Sequence, residues 1–179
     1  ELLVMVVLSA QDSDKHINQV ALKFFDAYPT MESLSKATAE DLFPLINDVR
    51  NFGNKAKWLA GIAQQIKKDK NIPLTLEELT ALLGIGRKSA NVILRESGKS
   101  AEGVIVDLHV VRVAPRLGMV TGEDPKKIEK QIMEIIPQKD WGEIGMAISF
   151  LGRETCRPTK PDCPNCVIKN FCTYFKAGN

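Results

Sequence analysis

The sequence is short of several features that would point to a membrane, a secreted or a disordered protein. Its 179 residues include 6% aromatic side chains, and no cysteine occurs before position 156. The apolar run at residues 2–8 is far shorter than the roughly 20 residues that a bilayer-spanning helix needs. It also lacks the basic flank and the small-residue cleavage site of a signal peptide. With 44% hydrophobic and 26% charged residues, the composition is that of a globular protein and excludes disorder.

A net charge of only +2 names no partner, but the charge is unevenly distributed. Residues 84–116 carry six basic and three acidic side chains, and residues 153–179 carry five and two. The remainder of the chain is therefore acidic. Two basic stretches are typical of a surface that faces a polyanion. On charge alone, a chance excess on solvated helices explains them equally well.

Apolar residues repeat at helical rather than alternating spacing along nearly the whole chain. One stripe at residues 17–25 follows Ser13, a typical N-cap, and another at residues 128–136 follows the pair Asp124-Pro125. Thr75 and Glu78 have the spacing of a capping box. The one strand-like run, residues 104–106, is too short to pair usefully. The sequence predicts an all-α protein, with a subdomain boundary near residue 101 in the polar segment 97–103.

Residues 82–90, Leu-Leu-Gly-Ile-Gly-Arg-Lys-Ser-Ala, end one helix and begin another with almost no loop. Gly84 and Gly86 permit a sharp turn and a close approach of the backbone to an outside group. The free N–H groups and the positive dipole end of the new helix bind phosphate, with Arg87 beside them. A Gly-x-Gly pair alone is weak, since tight helix connections use glycine anyway. The whole segment predicts a helix-hairpin-helix at about residues 76–97, which grips a DNA backbone without reading bases.

Two charged residues near this hairpin are candidates for chemistry. Lys88 lies in the first helical turn, where the dipole disfavours a cation, and a partly neutral lysine can form a Schiff base. Position alone nevertheless favours a phosphate-binding or solvated lysine. Asp107 follows three β-branched residues, so it is either a carboxylate withdrawn from solvent or the N-cap of the next helix, or both. His109 is either a phosphate contact or, more commonly for such a position, a core histidine.

The cysteines lie in one cluster, whereas a disulfide framework would be spread along the chain to close long loops. Their spacing is Cys156-x6-Cys163-x2-Cys166-x5-Cys172. Four thiolates suit tetrahedral zinc or a [4Fe–4S] cluster. A zinc ribbon has two Cys-x2-Cys knuckles, and this sequence has one. The spacing therefore favours iron–sulfur, with zinc as the alternative.

Taken together, these motifs resemble the endonuclease III family of DNA glycosylases, within the helix-hairpin-helix superfamily. The matching segments are Leu-Ser-Ala-Gln-x-x-Asp at 8–14, the hairpin at 84–92, Val-Asp-x-His at 106–109, and Gly-Arg-x-x-Cys at 152–156 with the three later cysteines. The resemblance covers essentially the whole chain. It implies a helical barrel at residues 1–101 and a cluster domain at 102–179 with its cluster loop at 156–172. DNA would bind in a cleft between the two subdomains.

The resemblance also implies a mechanism. In this family a damaged base is flipped out of the duplex. Lys88 matches the lysine that attacks the anomeric sugar carbon and displaces the base, and the resulting Schiff base permits β-elimination. Asp107 matches the aspartate that stabilises the developing positive sugar. Gln11 matches the residue that fills the space left by the flipped nucleotide, and Lys160 matches a basic position in the cluster loop. The cysteines would hold a [4Fe–4S] cluster with a structural role.

Three positions depart from the family pattern. Leu83 replaces a proline before the hairpin, and Leu108 replaces a threonine after the catalytic aspartate. Asn51 stands where the family often has an apolar wedge, which affects discrimination of the opposite base. The family's N-terminal helix is not in this sequence, and because Glu1 is not an initiator methionine we expect residues upstream.

The sequence thus predicts a monomeric, bifunctional DNA glycosylase and abasic-site lyase acting on oxidised pyrimidines in damaged duplex DNA. No membrane partner is expected, and the location would be the cytoplasm with the nucleoid in a prokaryote or the nucleus in a eukaryote. One alternative is a thymine or uracil mismatch glycosylase of the same fold. Another is a non-catalytic DNA-binding or redox-sensing iron–sulfur protein. An adenine-specific enzyme is disfavoured, because those relatives typically lack a lysine at position 88.

Overall fold

The computed structural model describes residues 1–178, apart from the side chain of Asp14, and these residues form helices and loops without any strand. The predicted all-α fold is confirmed. The chain divides into two compact units, one comprising Glu1–Ser97 and the other beginning at Gly98. Each unit has a hydrophobic core of its own. None of the described helices has the length and hydropathy of a membrane span.

The first unit contains seven α-helices and a short 3₁₀ turn at Asp69–Asn71. In chain order the helices are α1 Leu2–Ser9, α2 Asp14–Ala27, α3 Met31–Leu34, α4 Ala39–Ile46, α5 Phe52–Ile66, α6 Leu76–Thr80 and α7 Arg87–Glu96. The apolar run at residues 2–8 is α1, and its buried side chains explain why it is continuous. Helix α1 packs against α2, α5 and α7, so it lies at the centre of this core.

Two helices in this unit begin at the N-cap residues that the sequence predicted. The Ser13 hydroxyl accepts a hydrogen bond from the His16 N–H at the start of α2. The Thr75 hydroxyl accepts one from the Glu78 N–H at the start of α6. Such bonds satisfy N–H groups that a helix leaves unpaired, at a gain of about 1 kcal/mol each. The apolar stripe at residues 17–25 faces the core through Ile17, Val20, Ala21 and Phe24.

In the second unit a buried segment without regular secondary structure, residues 104–106, precedes the first helix, and the described residues contain four α-helices. These are α8 Leu108–Leu117, α9 Pro125–Ile135, α10 Trp141–Glu154 and α11 Thr173–Lys176, with 3₁₀ turns at Gln138–Asp140, Cys163–Asn165 and Lys169–Phe171. Helices α8 and α10 pack closely. Gly152 makes this possible, because a Cβ there would come within 2.8 Å of the His109 Cβ.

Candidate nucleic-acid interface and catalytic residues

The glycine hairpin joins α6 to α7, and its two glycines have different roles. Gly84 has a left-handed backbone with φ of 75°, and a Cβ there would lie 2.5 Å from the Trp58 ring. Gly86 is the N-cap of α7 with an ordinary φ of −85°, and a Cβ there would meet nothing within 4 Å. The fold itself therefore requires glycine at position 84. At position 86 the open space faces outward, where another molecule could approach the backbone.

Helix α7 presents its basic first turn to solvent. Arg87 and Lys88 are exposed, while Ala90, Ile93 and Leu94 on the other face are buried in the core of the first unit. No side chain caps this helix, because its N-cap is a glycine. The positive end of the dipole and two basic side chains thus meet on one accessible surface. Lys88 thus lies in the first helical turn, as the sequence predicted, and its chemical role stays a prediction.

Asp107 is the N-cap of α8 and is also withdrawn from solvent, so both sequence interpretations hold. Its Oδ1 accepts hydrogen bonds from the N–H groups of His109 and Val110, at 2.8 and 2.9 Å. Its Oδ2 accepts a 2.6 Å bond from the Ser149 hydroxyl, and a guanidinium nitrogen of Arg153 lies 3.9 Å away. The side chain is largely withdrawn from solvent, with 8% exposed. It is therefore a preorganised carboxylate at the start of a helix.

The environment of Asp107 favours its ionised form. Burial raises the pKa of this carboxyl, but the hydrogen bonds from Ser149, Val110 and His109 lower it by more. The net pKa lies below the usual aspartate value of 3.8. Such a group is a carboxylate at neutral pH, suited to stabilising positive charge.

Three residues near these sites were not assigned by sequence reasoning. Ser149 is fully buried on α10 and holds Asp107 from a position 42 residues away. The charge distribution in the sequence placed Arg112 and Arg116 of α8 in a basic stretch. Their guanidinium groups instead donate hydrogen bonds to backbone carbonyls of the second unit. Arg112 donates to the carbonyls of Gly152 and Cys156, and Arg116 donates to those of Arg157 and Pro158. Both arginines therefore stabilise the cysteine-bearing loop. The helical spacing of residues in α8 does not predict these hydrogen bonds.

His109 belongs to the same arrangement. Its ring is partly buried, and its Nδ1 accepts a hydrogen bond from Arg112 at 3.2 Å. Leu108, the neighbouring departure from the family pattern, is instead 70% exposed. Lys160 is also exposed, at a left-handed turn of the cysteine-bearing loop with φ of 55°.

Gln11 and Asn51 lie in the first unit with unusual backbones. Both are exposed and left-handed, with φ of 61° and 60°. Gln11 lies between α1 and α2, and Asn51 directly precedes α5. The Asp12 carboxylate accepts a 3.0 Å hydrogen bond from the Arg50 N–H, which brings the two segments together. The structure thus places these two predicted DNA contacts on neighbouring loops.

The four cysteines line one pocket of the second unit, together with Leu117, Leu151 and Phe175. Burial and the charges of the other three cysteines raise the pKa of the Cys163 thiol. A bound cationic group would relieve this repulsion, so the donor set fits a thiolate-ligated metal centre. Four cysteine thiolates suit tetrahedral zinc and a [4Fe–4S] cluster alike.

The chain matches the family model described as HhH-GPD superfamily base excision DNA repair protein over residues 4–138. It is 37% identical to endonuclease III of Synechocystis sp. over 179 residues, which are 99% of this chain and 82% of that protein. It is 34% identical to endonuclease III of Thermotoga maritima over 176 residues, covering 97% of this chain and 82% of that protein.

Solved structures show the same likeness. A trapped endonuclease III–DNA covalent intermediate matches with a TM-score of 0.88 and 32% identity, covering 99% of this chain and 84% of that one. A thermostable thymine-DNA glycosylase matches with a TM-score of 0.84 at 20% identity, which shows a shared fold. The predicted family and the predicted glycosylase and lyase class of activity are confirmed. The chain belongs to the HhH-GPD superfamily of base excision DNA repair proteins and, within it, to the endonuclease III family.

Proposed function

We propose that this chain excises oxidised pyrimidines from duplex DNA and then cleaves the strand at the abasic site, with Lys88 as the nucleophile. The observation that carries this proposal is the exposed lysine on the first turn of α7, in a chain that matches a covalently trapped endonuclease III–DNA intermediate over 99% of its length. A lysine amine is the side chain that forms a Schiff base with a sugar aldehyde carbon.

In the proposed reaction the Lys88 amine forms a bond to the anomeric sugar carbon. The glycosidic bond breaks, and the base leaves with the bonding electron pair and a proton. Opening of the sugar ring gives an iminium ion on Lys88. Loss of a proton from the adjacent carbon and departure of the 3′ phosphate then cleave the strand, after which hydrolysis returns the free amine.

Asp107 would supply negative charge during base loss, when the sugar becomes positively charged. Its two backbone donors and the Ser149 hydroxyl already fix its orientation, so no reorganisation is needed. Its lowered pKa keeps it ionised at neutral pH. We assign it the role of electrostatic stabiliser and proton acceptor.

The remaining predicted residues would bind DNA. The N–H groups of α7, the open backbone at Gly86 and the Arg87 side chain would hold a phosphate. Gln11 and Asn51 would occupy the space that a flipped nucleotide leaves. Lys160 would add a phosphate contact, and His109 would reach the DNA backbone from α8. The substrate would locate the protein with the chromosome, in the cytoplasm if the organism is a bacterium like those of its relatives, or in the nucleus if it is a eukaryote.

Cys156, Cys163, Cys166 and Cys172 would hold a [4Fe–4S] cluster, which would supply a rigid, structural centre. Their shared pocket, and a spacing with one Cys-x2-Cys pair where a zinc ribbon has two, support this choice over zinc. The Arg116 guanidinium, 3.5 Å from the Cys156 Sγ, would donate to a ligand sulfur.

The departures at Leu108 and Asn51 are compatible with one alternative substrate class, a thymine or uracil opposite guanine. The exposed apolar Leu108 beside Asp107 would make the base pocket less polar than a threonine would. A panel of duplexes containing thymine glycol, dihydrouracil, a G·T mismatch, a G·U mismatch or an abasic site separates the two. Faster release of thymine from G·T than of thymine glycol would contradict the oxidised-pyrimidine assignment.

Borohydride trapping tests the lysine chemistry directly. With duplex DNA containing an abasic site, the native chain should give a covalent adduct, and Lys88→Ala should give none. Lys23→Ala removes an exposed lysine of the same unit and should trap normally. A native chain without an adduct would overturn the lyase assignment, and an adduct with Lys88→Ala would overturn the assignment of Lys88 as its nucleophile.

A further inference from the structure

Gln11 and Asn51 hold backbone conformations that non-glycine side chains rarely adopt. Their φ angles are 61° and 60°, and both side chains are exposed. Such conformations persist only when the surrounding structure enforces them, and they concentrate at functional positions. The contacts that stabilise the left-handed conformations of Gln11 and Asn51 therefore indicate the function of the two loops.

A chain of three side chains joins the two loops. The Oδ1 of Asp12 accepts hydrogen bonds from the Ser13 N–H and from the His16 Nδ1, both at 2.8 Å, and its Oδ2 accepts one from the Arg50 N–H at 3.0 Å. The His16 Nε2 lies 3.2 Å from the Oδ2 of Asp48. Asp12 follows Gln11 directly, while Asp48 and Arg50 lie just before Asn51. We call Asp12, His16 and Asp48 the clamp.

A buried lysine fixes the same loops from the core side. Lys55 on α5 is 1% exposed, and its Nζ donates to the carbonyls of Leu8 and Ala10 at 2.7 Å each. The loop that carries Gln11 is thus tied to the helix that begins after Asn51. With the clamp outside and Lys55 inside, the two loops are held at two separate points.

We propose that Asp12, His16 and Asp48 are positioning residues that preset Gln11 and Asn51 as a pair for entry into the duplex beside a flipped nucleotide. This inference rests on the proposed function, in which Gln11 and Asn51 fill that space. Holding both side chains in advance lowers the ordering cost of binding a lesion, and it leaves the binding of undamaged DNA unchanged.

The protonation states of the clamp agree with this role. An imidazole can donate to two carboxylates at once only as a cation. The bonds to Asp12 and Asp48 raise the pKa of His16 above 6.5. The bonds from Arg50 and His16 lower the pKa of Asp12 to about 2. The charge of Lys55 also interacts with that of Asp12, and the clamp itself contains one cation between two carboxylates.

Binding to a duplex with a stable abasic-site analogue tests the proposal, with 2-aminopurine opposite the analogue to report insertion. His16→Asn and Asp12→Asn should each weaken this binding about tenfold and reduce the fluorescence change, with unchanged affinity for undamaged duplex. Asp26→Asn removes an exposed carboxylate from the same helix α2 and should behave as the native chain. In a Gln11→Ala, Asn51→Ala background, His16→Asn should weaken binding no further.

A clamp substitution whose effect adds in full to that background would overturn the proposal, because it would then act elsewhere. The proposal would also be overturned if a clamp substitution lowered the melting temperature but left the affinity for the analogue native. The clamp would then have a structural role alone. Borohydride trapping by the native chain separates this proposal from the wider one. A native chain that traps while the double-mutant comparison is additive contradicts only the clamp, whereas a native chain that does not trap contradicts the lyase itself.

Discussion

At the scale of single residues, Asp107 combines a structural and a chemical role. The sequence left open whether it caps a helix or serves as a withdrawn carboxylate, and the structure shows that the cap is what withdraws it. Two backbone N–H groups of α8 and the Ser149 hydroxyl satisfy its oxygens. A helix start is therefore used to hold an ionised acid in one orientation, with the positive dipole end supporting its charge.

Ser149→Ala should shift the pH dependence of base excision. Loss of its 2.6 Å hydrogen bond raises the pKa of Asp107, so the acid limb of the excision profile should move to higher pH. Excision of a damaged base at several pH values, measured in single turnovers, checks this. Ser35→Ala, which removes a hydroxyl bonded to the Glu32 carbonyl in the first unit, should leave the profile unchanged.

The same variant has a predicted effect on stability. Because the pKa of Asp107 is lowered by folding, its contribution is present above the unfolded value of about 3.9 and is lost as the pH falls through the folded value. Ser149→Ala should therefore cost roughly 1 to 2 kcal/mol at neutral pH, and less at pH 3. An unshifted acid limb would contradict the assigned link between Ser149 and the charge of Asp107.

The sequence could predict Asp107 but not Ser149. The aspartate follows a recognisable β-branched run, whereas its partner lies 42 residues away on α10 with no local signal. The clamp shows the same limit, since the Asp12 to Arg50 bond joins positions 38 residues apart. Helix starts such as Ser13 and Thr75 depend on neighbours three residues away and were predicted correctly. Side-chain pairs across elements depend on packing, which periodicity does not specify.

At the scale of elements, the hairpin between α6 and α7 contains one glycine that the fold requires and one that a bound ligand would require. Gly84 is fixed by its left-handed φ of 75° and by the Trp58 ring. Gly86 has a backbone that any residue adopts and open space beyond its Cα. Only a group outside the chain gives a reason for glycine at position 86.

Two serine substitutions should therefore have opposite effects. Gly84→Ser should destabilise the protein by about 1 to 2 kcal/mol from the left-handed backbone, with a further cost from the Trp58 contact. Gly86→Ser supplies an N-cap to α7 and should raise stability by a few tenths of a kcal/mol, yet weaken binding to abasic duplex. Thermal melting and equilibrium binding of both variants check this. Native affinity in Gly86→Ser would mean that the phosphate contact lies elsewhere.

At the scale of the whole molecule, the two units are stabilised in different ways. The first has a continuous apolar core from α1 to α7. The core of the second lies in residues 104–148, and within residues 156–178 Cys172 is the one buried residue. That last segment is held by Arg116, which donates to the carbonyls of Arg157 and Pro158 and accepts at its own carbonyl from Thr173 at 2.9 Å. Too little apolar surface is buried there to order it without a further constraint.

Removal of the metal should consequently loosen residues 156–176 and leave the first unit intact. The four cysteines would lose the group that joins them, and the loop would then depend on a few partly exposed hydrogen bonds from Arg112 and Arg116. Hydrogen exchange before and after chelation should show lost protection confined to the second unit, and trypsin should then cleave after Lys169 and Lys176. The native protein should contain about four irons and absorb broadly in the visible range. A colourless protein that releases zinc would contradict the cluster assignment, and equal protection at residues 156–176 with and without metal would contradict its structural role.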